Sequence, residues 1–374
     1  MVLMNSNKTQ SLKKAMAVST SRFTPILVID KEILKKKFEE FNTTFPYANI
    51  YYAIKANPDI AIINFMSSLG AGFEVGSEGS LRLLLDLGIS PSMIISGNPL
   101  KPISFIKHAH SIGISQMTLD SSAEIYKLAN FAPGSEIHVR ISVPNNYSEW
   151  PLDKKYGVDT GMAVDLLLEA KEYGLNPIGI TFHVGSQCTS PIAWTEALKQ
   201  CGQVWESASN RGLELSSLNL EGGFPAEYCK SVPPLGDFGF AIVKTLETTF
   251  PPGLKITLEP GRGLVGEAGV LVSSVIAKAK RDGHDWIYLD VGIFNGLMES
   301  IGGIRYPLVV NKKGKLTRYV IAGPSCDSMD ALPGKFELPE LEIGDHVFIM
   351  SAGAYTTAYA SQFDGITVPE VLLI

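Results

Sequence analysis

The chain has 374 residues, 45% of them hydrophobic and 19% charged, so it can bury one large core or two and reads as an ordinary globular protein. A net charge of −6, with the basic residues scattered, argues against nucleic acid or an anionic membrane as the main partner and points to small molecules. Cys188, Cys201, Cys229 and Cys326 form no CxxC pair, show no zinc-type histidine spacing and are too few for a disulfide scaffold, which fits a reducing cytoplasm.

In chain order, residues 1–24 read as an N-terminal arm. The segment is basic, rich in Ser and Thr and free of acids, so a transit peptide competes with a loose arm, and the arm is the favoured reading. It lacks the apolar core of a secretory signal, and no apolar run approaches the roughly 20 residues of a membrane span. The strand "PILVID" (25–30) and the helical pattern "KEILKKKFEEF" follow, and this strand can belong to either of the two units that come next.

Eight β-rich runs then alternate with amphipathic stretches: "IYYAIK" (50–55), "AGFEV" (71–75), "MIIS" (93–96), "SQMTL" (115–119), "EIHVRI" (136–141), "IGITFH" (178–183), "LNLE" (218–221) and "KITLEP" (255–260). Between them, patterns such as "MAVDLLLEAKEYG" place apolar residues at helical spacing and stop at glycine. The alternation predicts an α/β fold with a (β/α)8 barrel over residues 25–265, a doubly wound sheet being the competitor. From residue 266 to 374, "GVLVSSVIAKAK", "DWIYLDVG", "RYPLVV", "RYVIAG" and "HVFIMSAGAY" are separated by turns with little helical periodicity, which predicts a C-terminal β-barrel or β-sandwich domain.

Catalytic side chains of such barrels project from the C-terminal ends of the strands. The conspicuous polar residues fall there: Lys55 after the first strand, Glu74 on the second, Arg140 on the fifth, His183 on the sixth, "EGG" after the seventh and "EPGR" after the eighth. Lys55 closes an apolar strand, where lost hydration favours the neutral amine, a nucleophile able to form a Schiff base. Singly, each has a plainer reading: a solvated lysine, turn glycines, a core histidine. Together, the Gly-rich turns and an arginine suit a phosphate. Glu259 suits a protonated ring nitrogen, and the imidazole of His183 suits a planar face. "GRGLVG" matches the dinucleotide fingerprint, but the β-branched segment after it does not read as a helix, so that reading fails. A nucleophilic lysine, a phosphate cradle, a carboxylate for a pyridinium and a stacking histidine describe a site for pyridoxal 5′-phosphate.

The combination of "YAIKAN", "FHVGSQ", "EPGR" and "GPSCDSMD" followed by "GAYTTAY" resembles the fold-type III pyridoxal-phosphate-dependent decarboxylases of ornithine, lysine, arginine and diaminopimelate, with alanine racemase a more distant relative. The resemblance runs from "TPILVID" to "FDGITVPEVLLI", and "EWPLDKKYG" and "FNGLMES" are most like the bacterial lysine/ornithine branch. It implies an alanine racemase-like barrel and a β domain in a homodimer with active sites at the subunit interface. Lys55 would carry the cofactor, His183 would stack on its ring and Glu259 would pair with the ring nitrogen. Ser186, the backbone at Gly222 and Gly223, Gly261, Arg262 and Tyr355 would hold the phosphate, with Glu74 and Arg140 beside the cofactor. Cys326 and Asp327 would reach the partner's site, Cys326 to protonate the substrate carbon and Asp327 to bind the distal amine. Glu299 and Tyr355 would complete the substrate pocket.

The implied activity is decarboxylation of L-ornithine or L-lysine to putrescine or cadaverine. "CDSMD" in place of the "CES" usual in diaminopimelate decarboxylases favours a simple diamino acid. Two positions depart from the pattern of these enzymes: Glu221 stands where a first glycine is usual, and Glu74 where aspartate is usual. They raise the alternative of a modified or larger amino acid. A racemase, a small carrier of the cofactor and a non-catalytic homologue acting by partner binding are the other readings. "GPSCDSMD", the long β region, and the retained Lys55, His183, Glu259, Arg262, Cys326 and Asp327 argue against them.

Overall fold

The computed structural model describes residues 6–374. The chain divides into two units, one of residues 38–225 and 233–261, the other of residues up to 37, 226–232 and 262–374.

The first unit is a barrel of eight parallel strands: Ala48–Ala53, Gly72–Glu74, Ile94–Ile95, Gln116–Leu119, Glu136–Ile141, Asn176–Phe182, Ser217–Asn219 and Lys255–Leu258. The eighth pairs with the first, Ile256 opposite Ala48, and the third and fourth meet through one parallel bridge between Ser96 and Met117. All eight β-rich runs of the sequence are found, with a short two-stranded ribbon besides, in which Ser148–Trp150 pairs with Ser186–Cys188.

Helices form where the sequence supplies both a cap and an apolar stripe. Asp59 and Asp159 accept the first N–H groups of Ile60–Ser68 and Thr160–Glu172. Helix Ile192–Asn210 buries Trp194, Ala197, Leu198, Cys201, Val204, Trp205 and Ala208, a spacing that puts them on one face. Trp194 stacks on Phe224 at 4.7 Å between ring centres. Buried Lys101 donates to the carbonyls of Asn98, Pro99 and Thr118 at 2.9, 3.2 and 2.6 Å, tying the loop after the third strand to the fourth strand.

Inside the barrel the polar residues form a stack that follows the two-residue period of a strand. In "SLNLE", Ser217, Asn219 and Glu221 share one face while Leu218 and Leu220 fill the other. His138 meets Ser217 at 2.9 Å, Asn219 donates to Glu259 at 2.6 Å and Thr181 donates to Glu221 at 2.8 Å. The chemistry thus sits on the carboxyl half of a barrel whose outer face is apolar.

The second unit is an eight-stranded mixed sheet organised on the long strand Gly269–Arg281. That strand pairs antiparallel with Ile26–Ile29, with His346–Met350 and with His284–Leu289, and it shifts register between Val275 and Ala277. The strand left open by the sequence, Ile26–Ile29, therefore belongs to this sheet, where it also pairs with Glu370–Leu373. Residues 6–19 are a helix rather than a loose arm: Leu12 and Ala15 pack with Ile26, Val28, Val270, Val272, Phe348 and Met350. Lys8, fully buried, pairs with Glu227 at 2.8 Å.

Candidate active site

The first barrel strand ends at Ala53, and the next turn, Ile54–Ala56, is a 3-10 helix that carries Lys55 outward. Its side chain is 58% exposed and its ammonium lies 3.2 Å from Glu74. The expectation that the apolar strand itself dehydrates this lysine is thereby corrected: the strand stops two residues too early. Glu74, in contrast, is buried at the end of its strand, and apart from the Lys55 ammonium its carboxylate oxygens meet no donor among the described residues.

Glu259 is held by Asn219 from one side and closed over by Gly97 from the other, where a Cβ would stand 2.6 Å from a carboxylate oxygen. Burial, then the charges of Glu74 and Glu221, hold its carboxyl well above the usual carboxylate range. His183 accepts the N–H of Gly185 at Nδ1, 2.9 Å away, which leaves its proton on Nε2. Burial, then the Arg140 and Lys55 charges, push its pKa far below 6.5, so the ring is a neutral plane.

Arg140 pairs with Glu221 at 3.2 Å and lies over the Tyr156 ring at 5.6 Å. Glu221, which stands where a first glycine is usual, turns its carboxylate onto Arg140 and Thr181. The glycines around it are required by close approach. A Cβ on Gly222 would stand 2.8 Å from the Glu259 carbonyl oxygen, and one on Gly223, at φ +98°, 2.7 Å from that of Gly185. Gly261 packs on the turn bearing Lys55, 2.9 Å from Ala56 by the same measure. Ser186 opens the ribbon strand directly after His183–Gly185.

The remaining predicted residues lie in the other unit. Arg262 is buried and forked onto Glu299, with contacts of 2.6 and 2.7 Å, and donates to the Tyr228 hydroxyl at 2.7 Å. The Tyr355 ring lies 4.8 Å from its guanidinium carbon, on a backbone at φ +61°. Glu299, which the resemblance places in the substrate pocket, is buried, and both of its oxygens meet Arg262. Cys326 and Asp327 are exposed on the turn between Gly323 and Asp330. Asp330 shapes that turn: its carboxylate accepts the N–H groups of Ile293 and Ser325 at 2.6 and 3.0 Å, and a Cβ on Gly292 or Gly323 would collide with it.

Asn219, Thr181, Tyr228 and Asp330 were not singled out from the sequence. Alternation in "SLNLE" marks Asn219, and the last acid of "GPSCDSMD" marks Asp330; Thr181 and Tyr228 carry no local signal.

The barrel interior also makes a prediction about acid stability. Ser217 gives its hydroxyl proton to the Lys255 carbonyl, so His138 donates from Nε2. Burial, then the Lys255 charge, lowers the His138 pKa from 6.5 to about 4. An unfolded histidine takes its proton near 6.5 while the folded one refuses it, so stability present above pH 6.5 is lost as the pH falls toward 4. His138→Gln is expected to remove on the order of 3 kcal/mol of that loss. Thermal melts of both proteins from pH 7 to pH 4 check it; parallel curves would show that His138 titrates normally.

The site residues fit pyridoxal 5′-phosphate on observations of this chain. Lys55 and Arg140 already pair with Glu74 and Glu221, and the buried Glu259 carboxyl, held toward its protonated form, can share a proton with a ring nitrogen. The neutral imidazole of His183 can lie against a cationic ring without repulsion, and the glycine turn at 222–223 leaves backbone room.

Comparison with known proteins agrees with this chemistry. Residues 31–266 match the family described as pyridoxal-dependent decarboxylase, pyridoxal binding domain. A lysine/ornithine decarboxylase of Selenomonas ruminantium is 36% identical over 94% of this chain and 89% of its own length. An ornithine decarboxylase of Schizosaccharomyces pombe is 33% identical over 93% of this chain and 82% of its own. Among solved structures, the lysine/ornithine decarboxylase of Vibrio vulnificus complexed with cadaverine superposes with a TM-score of 0.92 at 29% identity, covering 100% of both chains.

Proposed function

This chain belongs to the pyridoxal-dependent decarboxylases, and from that premise we propose that it converts L-ornithine or L-lysine into putrescine or cadaverine and CO2. The observation that carries the reading is the gathering of Lys55, Glu74, His183 and Glu259 on one barrel, with charges and tautomer suited to the cofactor. Pyridoxal 5′-phosphate, when bound, supplies an aldehyde for the substrate amine and a conjugated ring that withdraws the electron pair left by CO2.

The residues of the chain do the rest. Lys55 would hold the cofactor through its side-chain amine, and Glu74 pairs with that amine while no cofactor is bound. Glu259, fixed by Asn219, keeps a proton on the ring nitrogen. His183 supports the ring face. Ser186, the backbone at Gly222, Gly223 and Gly261, and Arg262 with Tyr355 would bind the phosphate, Glu299 and Tyr228 holding the guanidinium in place. Arg140 stands beside the cofactor, anchored by Glu221.

Exposed Cys326 and Asp327 act in the site of a second copy of the chain, so the working unit is a homodimer. There Asp327 binds the distal ammonium of the diamino acid, and the Cys326 thiol protonates the carbon from which CO2 has left. All four cysteines are free, in keeping with work in the cytoplasm, and among the described residues no helix is long and apolar enough to cross a membrane.

The test is the absorbance of the purified protein and its CO2 release from L-ornithine, L-lysine, L-arginine and meso-diaminopimelate, each offered alone. A band at about 420 nm that borohydride removes, with CO2 from ornithine or lysine, is expected. The same band without CO2 from any of the four would retain the cofactor and discard the substrates, pointing to a larger amino acid. CO2 from diaminopimelate alone would discard the diamino-acid assignment of Asp327.

A further inference from the structure

Glu221 is an anomaly in local backbone terms. It has φ +46°, in the left-handed region that glycine occupies at little cost and a glutamate does not. It is also buried, at 3% exposure, at the end of a barrel strand, where an unpaired carboxylate would be strongly disfavoured. Both costs are met by a specific set of contacts. Its backbone N–H donates to the Asn219 side chain at 2.9 Å, and its carbonyl accepts the N–H of Glu259 at 2.8 Å. One carboxylate oxygen takes the Thr181 hydroxyl at 2.8 Å and the other lies 3.2 Å from Arg140. An outlier that its surroundings hold in place so thoroughly calls for a role.

The charges around it show what that role is. Arg140 is a buried cation of the barrel whose charge, after burial, opposes protonation of His183. Around the same space stand Lys55 and Glu74 from the first two strands, His183 from the sixth, Glu259 from the eighth, and Tyr51, whose phenol feels Glu259. Without Glu221, the guanidinium would be an uncompensated charge in a poorly hydrated interior. It would then oppose any proton on a bound cofactor and compete for Glu259 or Glu74.

We propose that Glu221 is a positioning residue that clamps Arg140 to the barrel wall and cancels its charge, leaving Glu259 and Glu74 to set the field at the cofactor. This rests on the cofactor reading given above and adds a residue to it. It also accounts for a glutamate at a backbone position better suited to glycine: the side chain is needed where it is, and its partners Thr181 and Arg140 lie 40 and 81 positions earlier in the chain.

The test reads the cofactor-loaded protein by absorbance rather than turnover. Across a pH titration, Glu221→Gln keeps the side-chain shape and removes the charge. The pH at which the bound cofactor's visible band converts from its protonated to its unprotonated form should fall by about one unit. Glu221→Gly, which relieves the left-handed backbone and therefore folds even where the amide does not, should shift it the same way. The double variant Glu221→Gln with Arg140→Gln removes both charges and should bring the midpoint back to the wild-type value. A merely structural role would not be rescued by deleting the opposite charge. Wild-type midpoints in both single variants, or a double variant shifted as far as the singles, would overturn the proposal while leaving the cofactor reading intact. A wild-type protein that shows no visible band after incubation with the cofactor would overturn both.

Discussion

Lys55→Ala is expected to lower kcat for decarboxylation by about 10³-fold or more and to abolish the band that borohydride removes. The reasoning is geometric as much as chemical. Lys55 is carried on a 3-10 turn whose neighbours Ala53 and Ala56 pack against Gly261, so the amine is presented from a rigid base. Its ammonium lies 3.2 Å from Glu74, a buried carboxylate that has no other donor among the described residues. Removing it takes away the group that holds the aldehyde and the group that expels product. A small alkylamine added to the variant should restore part of the rate, because it replaces the second of these functions. Single-turnover CO2 release with and without the amine checks both halves, and a Lys55→Ala protein still reduced covalently by borohydride would end the assignment.

Glu259→Gln is expected to lower kcat by about 10²- to 10³-fold, the usual consequence of deleting one preorganised electrostatic partner of the reacting system. An amide still accepts the Asn219 donor, so the fold survives, but it cannot hold a proton on a ring nitrogen. The same substitution should have the opposite effect on stability when no cofactor is bound. The Glu259 carboxyl is held above its ordinary 4.5 by burial, then by Glu74 and Glu221. Its contribution to stability is therefore complete below pH 4.5 and is lost as the pH rises toward the folded value, since the unfolded carboxyl ionises first. Cofactor-free Glu259→Gln should melt above cofactor-free wild type at pH 7, and the two should converge below pH 4.5. With cofactor bound, that advantage should vanish. Equal melting of the two cofactor-free proteins at pH 7 would show that the carboxylate is already satisfied in the empty barrel. Loss of function with gain in stability is what a site strained toward its ligand produces.

Much of the barrel was legible because its signals are local. Each strand is a short apolar run, each helix has its stripe and stop, and the polar residues stand at the carboxyl ends of strands, where barrel geometry gathers them. The helix at Ser6–Ser19 was not legible: its weak apolar face becomes a stripe only when Leu12 and Ala15 meet a sheet whose strands come from residues 26–29, 269–281 and 346–350. Asn219 could have been read from the alternation in "SLNLE", but its task at Glu259 lies 40 positions away. Glu299 shows the limit most clearly. A carboxylate in a Met- and Ser-flanked turn reads as surface or substrate contact, and it is instead the bidentate partner of an arginine 37 positions earlier.

By itself the amino-acid order determined the inventory: eight strands, the glycines at 222, 223 and 261, and a lysine, histidine, glutamate and arginine at strand ends. Those features depend on neighbours in the chain, through backbone period and the conformational range of glycine. The tertiary structure alone decided where each charge is answered: Glu221 by Arg140, Glu299 by Arg262, Glu74 by an exposed Lys55. A charge interaction acts over a few ångströms whatever the separation in sequence, so its partner is chosen only when the strands close into a barrel and the sheet folds onto its helix.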